Sequence, residues 1–376
     1  MSAGCDEDPV SVGEGILPPE DFVDIDTLIV YASESFSFEH PVVTSGSANI
    51  FAGESNDLDV QSIFRFTTLL PVQGITPDTV LGSDVFEATL FLKPAYYLGD
   101  STETITLHLH EVLSGWTTTG FNRDVFESLR RGDQALSSGS IMLGDTNAIT
   151  LPLPRDLIHR WAKQGDQSLI PQGLMLKSDE SANGIIGFRG AAGENAPELR
   201  IIYGTSEEQD TVRFSENARA FASFLKRDLD LQNNITVQAG AATRSIIRFD
   251  LSDLPSGALI HNAELSLISD PVQSVTHPAV SDSISAHHIA DPNKFILRTA
   301  DAGYFSKTVI DTVTNITRYR TSVSEIIQAW TTVEDNNGFI IRDNNETLGF
   351  HRTSFYTEAA EDQEKRPRLK IIYSRL

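Results

Sequence analysis

The sequence predicts an all-β fold of two tandem sandwiches, each carrying one short helix, and three observations predict it. Short apolar alternations are separated by Gly, Pro, Asn and Asp at close spacing, the pattern of short strands joined by turns. A set of segments occurs twice in the same order, which marks a duplication. Helical spacing is confined to one stretch in each copy. With 376 residues, 40% hydrophobic and 22% charged, the chain can build two cores of ordinary size. No apolar run reaches the ~18 residues of a membrane helix, and one cysteine excludes an internal disulfide framework.

At the N-terminus, Met1-Ser2-Ala3-Gly4-Cys5 sets small residues directly before a cysteine. This is how a bacterial lipobox ends, where the sulfur receives a diacylglycerol after cleavage; the alternative is a chance cysteine in a disordered tail. Asp6-Glu7-Asp8-Pro9 and Pro18-Pro19-Glu20-Asp21 resist helix and sheet, so residues 1–24 read as an extended tether with Cys5 as its lipidation site. The opening Cys5-Asp6-Glu7-Asp8-Pro9, then Val12-Gly13, Leu17-Pro18 and Asp24, resembles an uncharacterised family of Gram-negative surface lipoproteins over about the first 60 residues. The resemblance implies a lipid anchor at the bacterial outer membrane or cell surface, with a periplasm-facing position left open.

The two copies follow. Ser62-Ile63-Phe64-Arg65-Phe66 recurs as Ser245-Ile246-Ile247-Arg248-Phe249, and Ala88-Thr89-Leu90-Phe91-Leu92 as Ala263-Glu264-Leu265-Ser266-Leu267. Ile158-His159-Arg160-Trp161 answers Ile327-Gln328-Ala329-Trp330, and Gly173-Leu174-Met175-Leu176 answers Gly338-Phe339-Ile340-Ile341. Gly187-Phe188 matches Gly349-Phe350, and Pro197-Glu198-Leu199-Arg200-Ile201-Ile202-Tyr203 matches Pro367-Arg368-Leu369-Lys370-Ile371-Ile372-Tyr373. Asn234-Ile235-Thr236-Val237 reads as the second copy's opening strand, echoing Asn49-Ile50-Phe51. The polar stretch Gly204–Glu208 sets the boundary, giving sandwiches at 25–204 and 205–376 that should fold separately.

Within a copy, Ile247, Phe249 and Leu251 share one strand face, so they enter the core, while Arg248 faces outward. Leu157, Ile158 and Trp161, like Ile326, Ile327 and Trp330, have helical spacing, and Ser322 with Glu325 forms a capping-box pattern. Arg244-Ser245-Ile246-Ile247-Arg248-Phe249-Asp250-Leu251, Leu254-Pro255-Ser256-Gly257-Ala258 and Ala263-x-Leu265-x-Leu267 resemble the DNRLRE-type modules of secreted bacterial proteins. That resemblance spans most of 211–376 and implies tandem jelly-roll β-sandwiches; some such modules bind polysaccharides such as alginate. The first copy departs from the pattern at Thr67-Thr68.

The net charge is −23. Residues 1–64 hold 13 acids and no Lys or Arg, and no basic stripe interleaves with aromatics, which argues against nucleic acid as a partner. The chain shows no G-x-S-x-G elbow, H-E-x-x-H or phosphate loop, so the expectation is a non-enzymatic protein. His108 and His110, two apart on a strand, face one side and would suit a metal. Asp335, Asn337, Asp343 and Asn345 are the oxygen donors that calcium would take, the one cofactor that the sequence leaves open, although such clusters also make turns. Trp116, Tyr96 and Tyr97 lie in or beside loops as candidates for sugar stacking. Arg248, Arg342 and Arg352, with Arg65, are candidates for a local basic patch.

The expected function is binding of carbohydrate or another surface polymer by a lipid-anchored sandwich protein that touches the membrane only through its anchor. The alternative is a structural or protein-interaction module of a surface assembly, whose partner is a cell-surface protein. A glycan binder should present aromatic rings on a sheet or cleft; a structural module should present an apolar patch or open edge.

Overall fold

The computed structural model describes residues 24–40, 42–55, 58–66, 84–163, 173–190, 196–226, 231, 233–240, 242–275, 283–297, 302–314 and 316–375. The chain is all β, with three short α-helices among these residues. Its strands are β1 (Ile25–Glu39), β2 (Asn49–Glu54), β3 (Leu58–Phe66), β4 (Asp84–Leu92), β5 (Pro94–Gly99), β6 (Thr104–Glu111), β7 (Ser137–Met142), β8 (Ile149–Pro152), β9 (Leu174–Ser178), β10 (Gly184–Arg189), β11 (Glu198–Gly204) and β12 (Gln209–Leu225). The second half continues with β13 (Ile235–Gln238), β14 (Thr243–Phe249), β15 (Leu259–Ile268), β16 (Ile284–Asp291), β17 (Ile296–Leu297), β18 (Gly303–Tyr304), β19 (Ser306–Asp311), β20 (Ile316–Ser322), β21 (Phe339–Asp343), β22 (Arg352–Phe355) and β23 (Arg368–Ser374). No helix among the described residues is long and apolar enough to cross a membrane.

Two separate cores show the two sandwiches. The first joins Leu90, Leu199, Ile201 and Phe214 from one layer to Ile50, Phe64, Leu107, Leu176 and Phe188 from the other. The second joins Leu265, Leu267, Leu369 and Ile371 to Val237, Ile247, Phe249, Phe339 and Ile341. In both, alternate residues of each strand point inward, as the period-2 pattern requires. The recurring glycines have a shared cause. Gly173 and Gly338 adopt φ of +99° and +91°, and a Cβ at either would stand 2.6 or 2.7 Å from the carbonyl oxygen of Phe64 or Ile247. Only glycine fits so close an approach.

The opening strands do not stay with their own copies. Ile25–Tyr31 of β1 pairs with β23 and Ala32–Glu39 with β14, so β1 completes the second sandwich. Reciprocally, the first half of β12 pairs with β11 and its second half with β3, completing the first. Each strand changes layer at a register irregularity, between Ala32 and Glu34 in β1 and between Glu216 and Ala218 in β12. These positions are equivalent, since Asp26-Thr27 recurs at Asp210-Thr211 with the same offset of 184 residues. The boundary expected at 204/205 therefore divides the sequence repeats but not the folded bodies. One body is built from 49–204 with 209–225, the other from 235–374 with 25–39. The opening strand of the second copy is correspondingly β12, and the 234–240 segment forms β13.

Side-chain size fits each strand to its adopted slot. Ala218, Ala220 and Ala222 of β12 lie under an excursion between β6 and β7 that packs Trp116, Phe121, Phe126 and Leu129 onto them. The equivalent face of β1 carries Phe36 and Phe38, which pack with Phe295 and Leu297 over Ile246, Ile289 and Ile340. Ser37, fully buried, donates to the Asn234 carbonyl at 2.6 Å and accepts from Thr236 N at 2.8 Å. Its equivalent, Phe221, packs edge-on against Phe51 at 5.3 Å. Phe350 of the second sandwich joins that cluster, 4.9 Å from Phe51, and its N–H donates to the Tyr96 hydroxyl at 3.1 Å.

The two expected helices occur as Arg155–Lys163 and Ser324–Trp330. Trp161 is buried in the first core, and Trp330 packs partly buried against the second. The capping box is not formed: Val323 occupies the N-cap without a side-chain bond, because the Ser324 hydroxyl is used to accept from Ala263 N at 2.8 Å. A third helix, Arg123–Glu127, was not predictable from periodicity because it is five residues long; Asn122 caps it.

Candidate functional site

The aromatics expected to stack on sugars serve packing instead. Tyr96 and Trp116 are each 6% exposed. Tyr96 stands edge-on to Phe51 at 5.4 Å, and burial pushes its phenol up to about 12. Trp116 packs on Phe121 at 5.6 Å beneath the Arg65 guanidinium, 5.0 Å from the ring centroid. Tyr97 packs against the first core. Loop proximity misled here, since the loops fold down over the sheets.

The expected arginine patch is likewise dispersed. Arg248 pairs with Glu34 of the exchanged strand β1 and lies over Phe36, 5.8 Å from its centroid. Arg342 sits 4.0 Å from Glu346, which Arg244 already binds through two bonds of 2.7 and 2.9 Å. Arg352, 8% exposed, donates to the Gln273 carbonyl at 2.8 Å. These guanidiniums are occupied by the protein's own acceptors.

The calcium donors do not converge either. Asp335 and Asn337 precede β21 while Asp343 and Asn345 stand at its far end, and the six residues from 337 to 343 span roughly 20 Å of extended chain. Asp343 is buried against His351, 2.7 Å from its Nε2, and accepts from Asn345 N at 2.6 Å. Asn337 donates to the Ile289 carbonyl. Among the described residues no group of three His, Cys, Asp or Glu side chains is arranged to hold a metal. Cys5 and nearly all of the tether lie outside the described residues.

His108 makes a different contact from the one expected. Its Nδ1 is 2.7 Å from Ser138 Oγ and its Nε2 is 2.5 Å from Asp179 Oδ1. Ser138 stands directly opposite His108 in the ladder, so the row is a cross-strand hydrogen-bonded rung. Asp179 has 45% of its side chain exposed, and water screens the field that a buried triad carboxylate exerts. His110 instead bonds the Gly132 carbonyl at 2.9 Å.

A small cleft of about 160 Å³ lies where the exchanged strands cross, lined by Glu39, His40, Thr44, Arg123, Ser223 and Gly240. Burial and the nearby Arg244 guanidinium hold His40 below the usual imidazole range. Arg123 is paired with Glu39 at 2.9 Å, so the charges there serve one another.

The exception to this self-pairing is the outer face of the layer formed by β1, β23, β15, β20 and β19. Leu369 and Ile371, Leu265 and Leu267, and Tyr319 point into the core. The alternate residues Arg368 and Lys370, Glu264 and Ser266, and Arg318 and Arg320 therefore point outward. Register sets them in rows: Tyr31, Arg368, Ser266, Arg320 and Ser306 are successive partners across five strands. Lys370 and Glu264 occupy the next row, and Arg318 stands opposite Ile268 on the other side. Arg320 and Lys370 are exposed, while Arg318, Arg368 and Tyr31 are half-buried. Among the described residues none of these four cations has an ion pair or side-chain hydrogen bond, and Tyr31 has no ring contact. The signal was present in the alternations Arg318-Tyr319-Arg320 and Arg368-Leu369-Lys370, but strand adjacency was needed to combine them.

No protein-family profile and no curated protein matches this chain.

Proposed function

We propose that the protein is a non-enzymatic, lipid-anchored β-sandwich protein of the bacterial outer membrane or cell surface that binds carbohydrate or another surface polymer. The observation that carries this reading is the open outer face of the β23 layer, where charged and aromatic groups stand without partners inside the protein. A sheet face of this kind suits an extended polymer, because it contacts many units along a line and does not enclose one. Reciprocal strand exchange supports the reading, since it ties both sandwiches into the body that a tethered binder must hold against its ligand. The DNRLRE-like segments of 211–376 belong to the same proposal.

A glycan-array screen of the full chain tests it: retention of at least one polysaccharide class is expected, and binding to none overturns it. A second reading, a protein-interaction module, draws on the edge strand β19, where Val309 and Ile310 are 53% and 48% exposed beside Val313 at 92%. Open edges with apolar side chains can accept a strand from a partner.

A further inference from the structure

We propose that the outer face of the β23 layer binds a linear polyanionic polysaccharide bearing carboxylate or sulfate groups. Arg318, Arg320, Arg368 and Lys370 would contact the anions, and Tyr31 would offer the ring on which a sugar stacks. This rests on the polymer-binding reading and names its site and ligand class.

Charge allocation is the first support. The chain carries 52 acids against 29 basic residues, and its arginines elsewhere find them readily: Arg123 with Glu39, Arg160 with Glu111, Arg200 with Glu87 and Arg219 with Glu216. The four cations of this face have no such partner, and the one carboxylate standing in their rows is Glu264. Like charges held together without counter-charges repel, so the face lowers its energy when an external anion arrives.

Geometry is the second. Arg368 and Arg320 flank Ser266 on neighbouring strands, so their Cα atoms are roughly 10 Å apart, two strand spacings. Arg318 to Arg320 and Arg368 to Lys370 are each one same-face step, roughly 7 Å. Ser266 between them is small and 5% exposed, leaving a floor with arginines on both sides. Tyr31 extends this row beyond Arg368. A row of five strands is about 19 Å across, long enough for several sugar units, and the repeat of cations along it matches a polymer with charges at intervals. A tyrosine beside arginines is also the pairing that holds both the apolar face and the acid of a charged sugar.

Overall charge favours a polysaccharide strand over an anionic bilayer as the occupant. One extended chain lying in the row touches the cations alone, whereas a flat membrane would also press against the acidic surface around them. Tyr31 comes from the exchanged strand, so the complete site exists only in the intact chain.

The test is calorimetric titration of the full chain with a uronic-acid hexasaccharide, its carboxyl-reduced neutral counterpart, and phosphatidylglycerol vesicles. Uronate binding should weaken at least 10-fold between 50 and 300 mM salt, about what several screened anion contacts lose. Arg320→Glu and Arg368→Glu should each weaken it 10-fold or more, and the milder Arg320→Gln should weaken it several-fold while leaving the thermal unfolding temperature unchanged. Tyr31→Ala should weaken binding of the uronate, and Arg213→Glu, exposed on the other sandwich, should leave it unchanged. Uronate affinity unaltered by the arginine changes, or a neutral hexasaccharide bound equally and independently of salt, overturns the inference while the polymer-binding reading stands. Binding to vesicles alone would assign the face to a lipid surface and overturn both, as would binding to none of the probes together with an empty glycan array.

Discussion

Removing the first repeat should unfold the second, although residues 205–376 contain every strand of that repeat. In such a fragment only β12 is left to fill the slot of β1. With the offset of 184 residues, Val212 and Phe214 replace Leu28 and Val30 acceptably, but Ala220 and Ala222 replace Phe36 and Phe38. Each half-buried ring reduced to a methyl costs about 1.5–2.5 kcal/mol, half the range for a fully buried phenylalanine. Phe221 replaces Ser37, so Thr236 N loses its acceptor, at about 1–3 kcal/mol for a buried unsatisfied group. Glu216 would also enter the core position of Ala32. The rings and the lost bond total about 4–8 kcal/mol, the size of a whole domain's stability. Near-UV circular dichroism and thermal melts of 205–376 should therefore show no cooperative transition, and adding a peptide of residues 24–40 should restore one. A fragment that melts cooperatively by itself, within a few degrees of the full chain, would refute the reasoning.

Trp161→Ala should cost about 3–5 kcal/mol in urea denaturation, and Trp330→Ala, only partly buried against Phe339 at 4.9 Å, about 2–4 kcal/mol; unchanged stability would place either indole outside its core. Gly338→Ala and Gly173→Ala should each cost about 2 kcal/mol or more, from the strained φ and the contact with a carbonyl, and a neutral effect would refute the equivalence drawn between them. Tyr96 and Tyr319 are pushed up to about 12 by burial, whereas an unfolded tyrosine titrates near ~10. Between these values the folded state holds more protons, so stability is full below pH ~10 and falls as pH rises, by up to ~2.7 kcal/mol per tyrosine. Stability that stays flat over that range would show the phenols to be accessible. Mass spectrometry of the protein from its native host should find Cys5 carrying acyl chains; an unmodified thiol there would sink the anchor.

The duplication and both cores were legible because they are local facts. Inward residues alternate along each strand, as at Ile247 and Phe249, and glycines recur where a carbonyl passes too close for a Cβ. The exchange was not legible. β1 and β12 share an Asp-Thr start and an inward apolar set, so either fits either slot by pattern alone; the choice rests on Phe36 and Phe38 against Ala220 and Ala222, whose neighbours are more than 90 residues away. The misjudged aromatics have a related cause. Tyr96 is buried by Phe350, some 250 residues along the chain, and nothing near Tyr96 in sequence announces that cover. The basic face emerges only when strands distant in sequence are set side by side.

Strand exchange also dictates when the protein can finish folding. β1 is the first strand made, yet its partners β14 and β23 end at Phe249 and Ser374, so it must wait while almost the entire chain is synthesised. Contacts this distant in sequence close slowly, and an unpaired apolar strand is a template for aggregation in the meantime. The run Thr27-Leu28-Ile29-Val30-Tyr31 is the exposed hazard, and the acids at Asp24, Asp26, Glu34 and Glu39 around it act as charged guards. The first sandwich closes earlier, once β12 has emerged, and then offers a finished surface on which the second can assemble. A chain interrupted anywhere between residues 226 and 368 would leave one sandwich complete and β1 without its place.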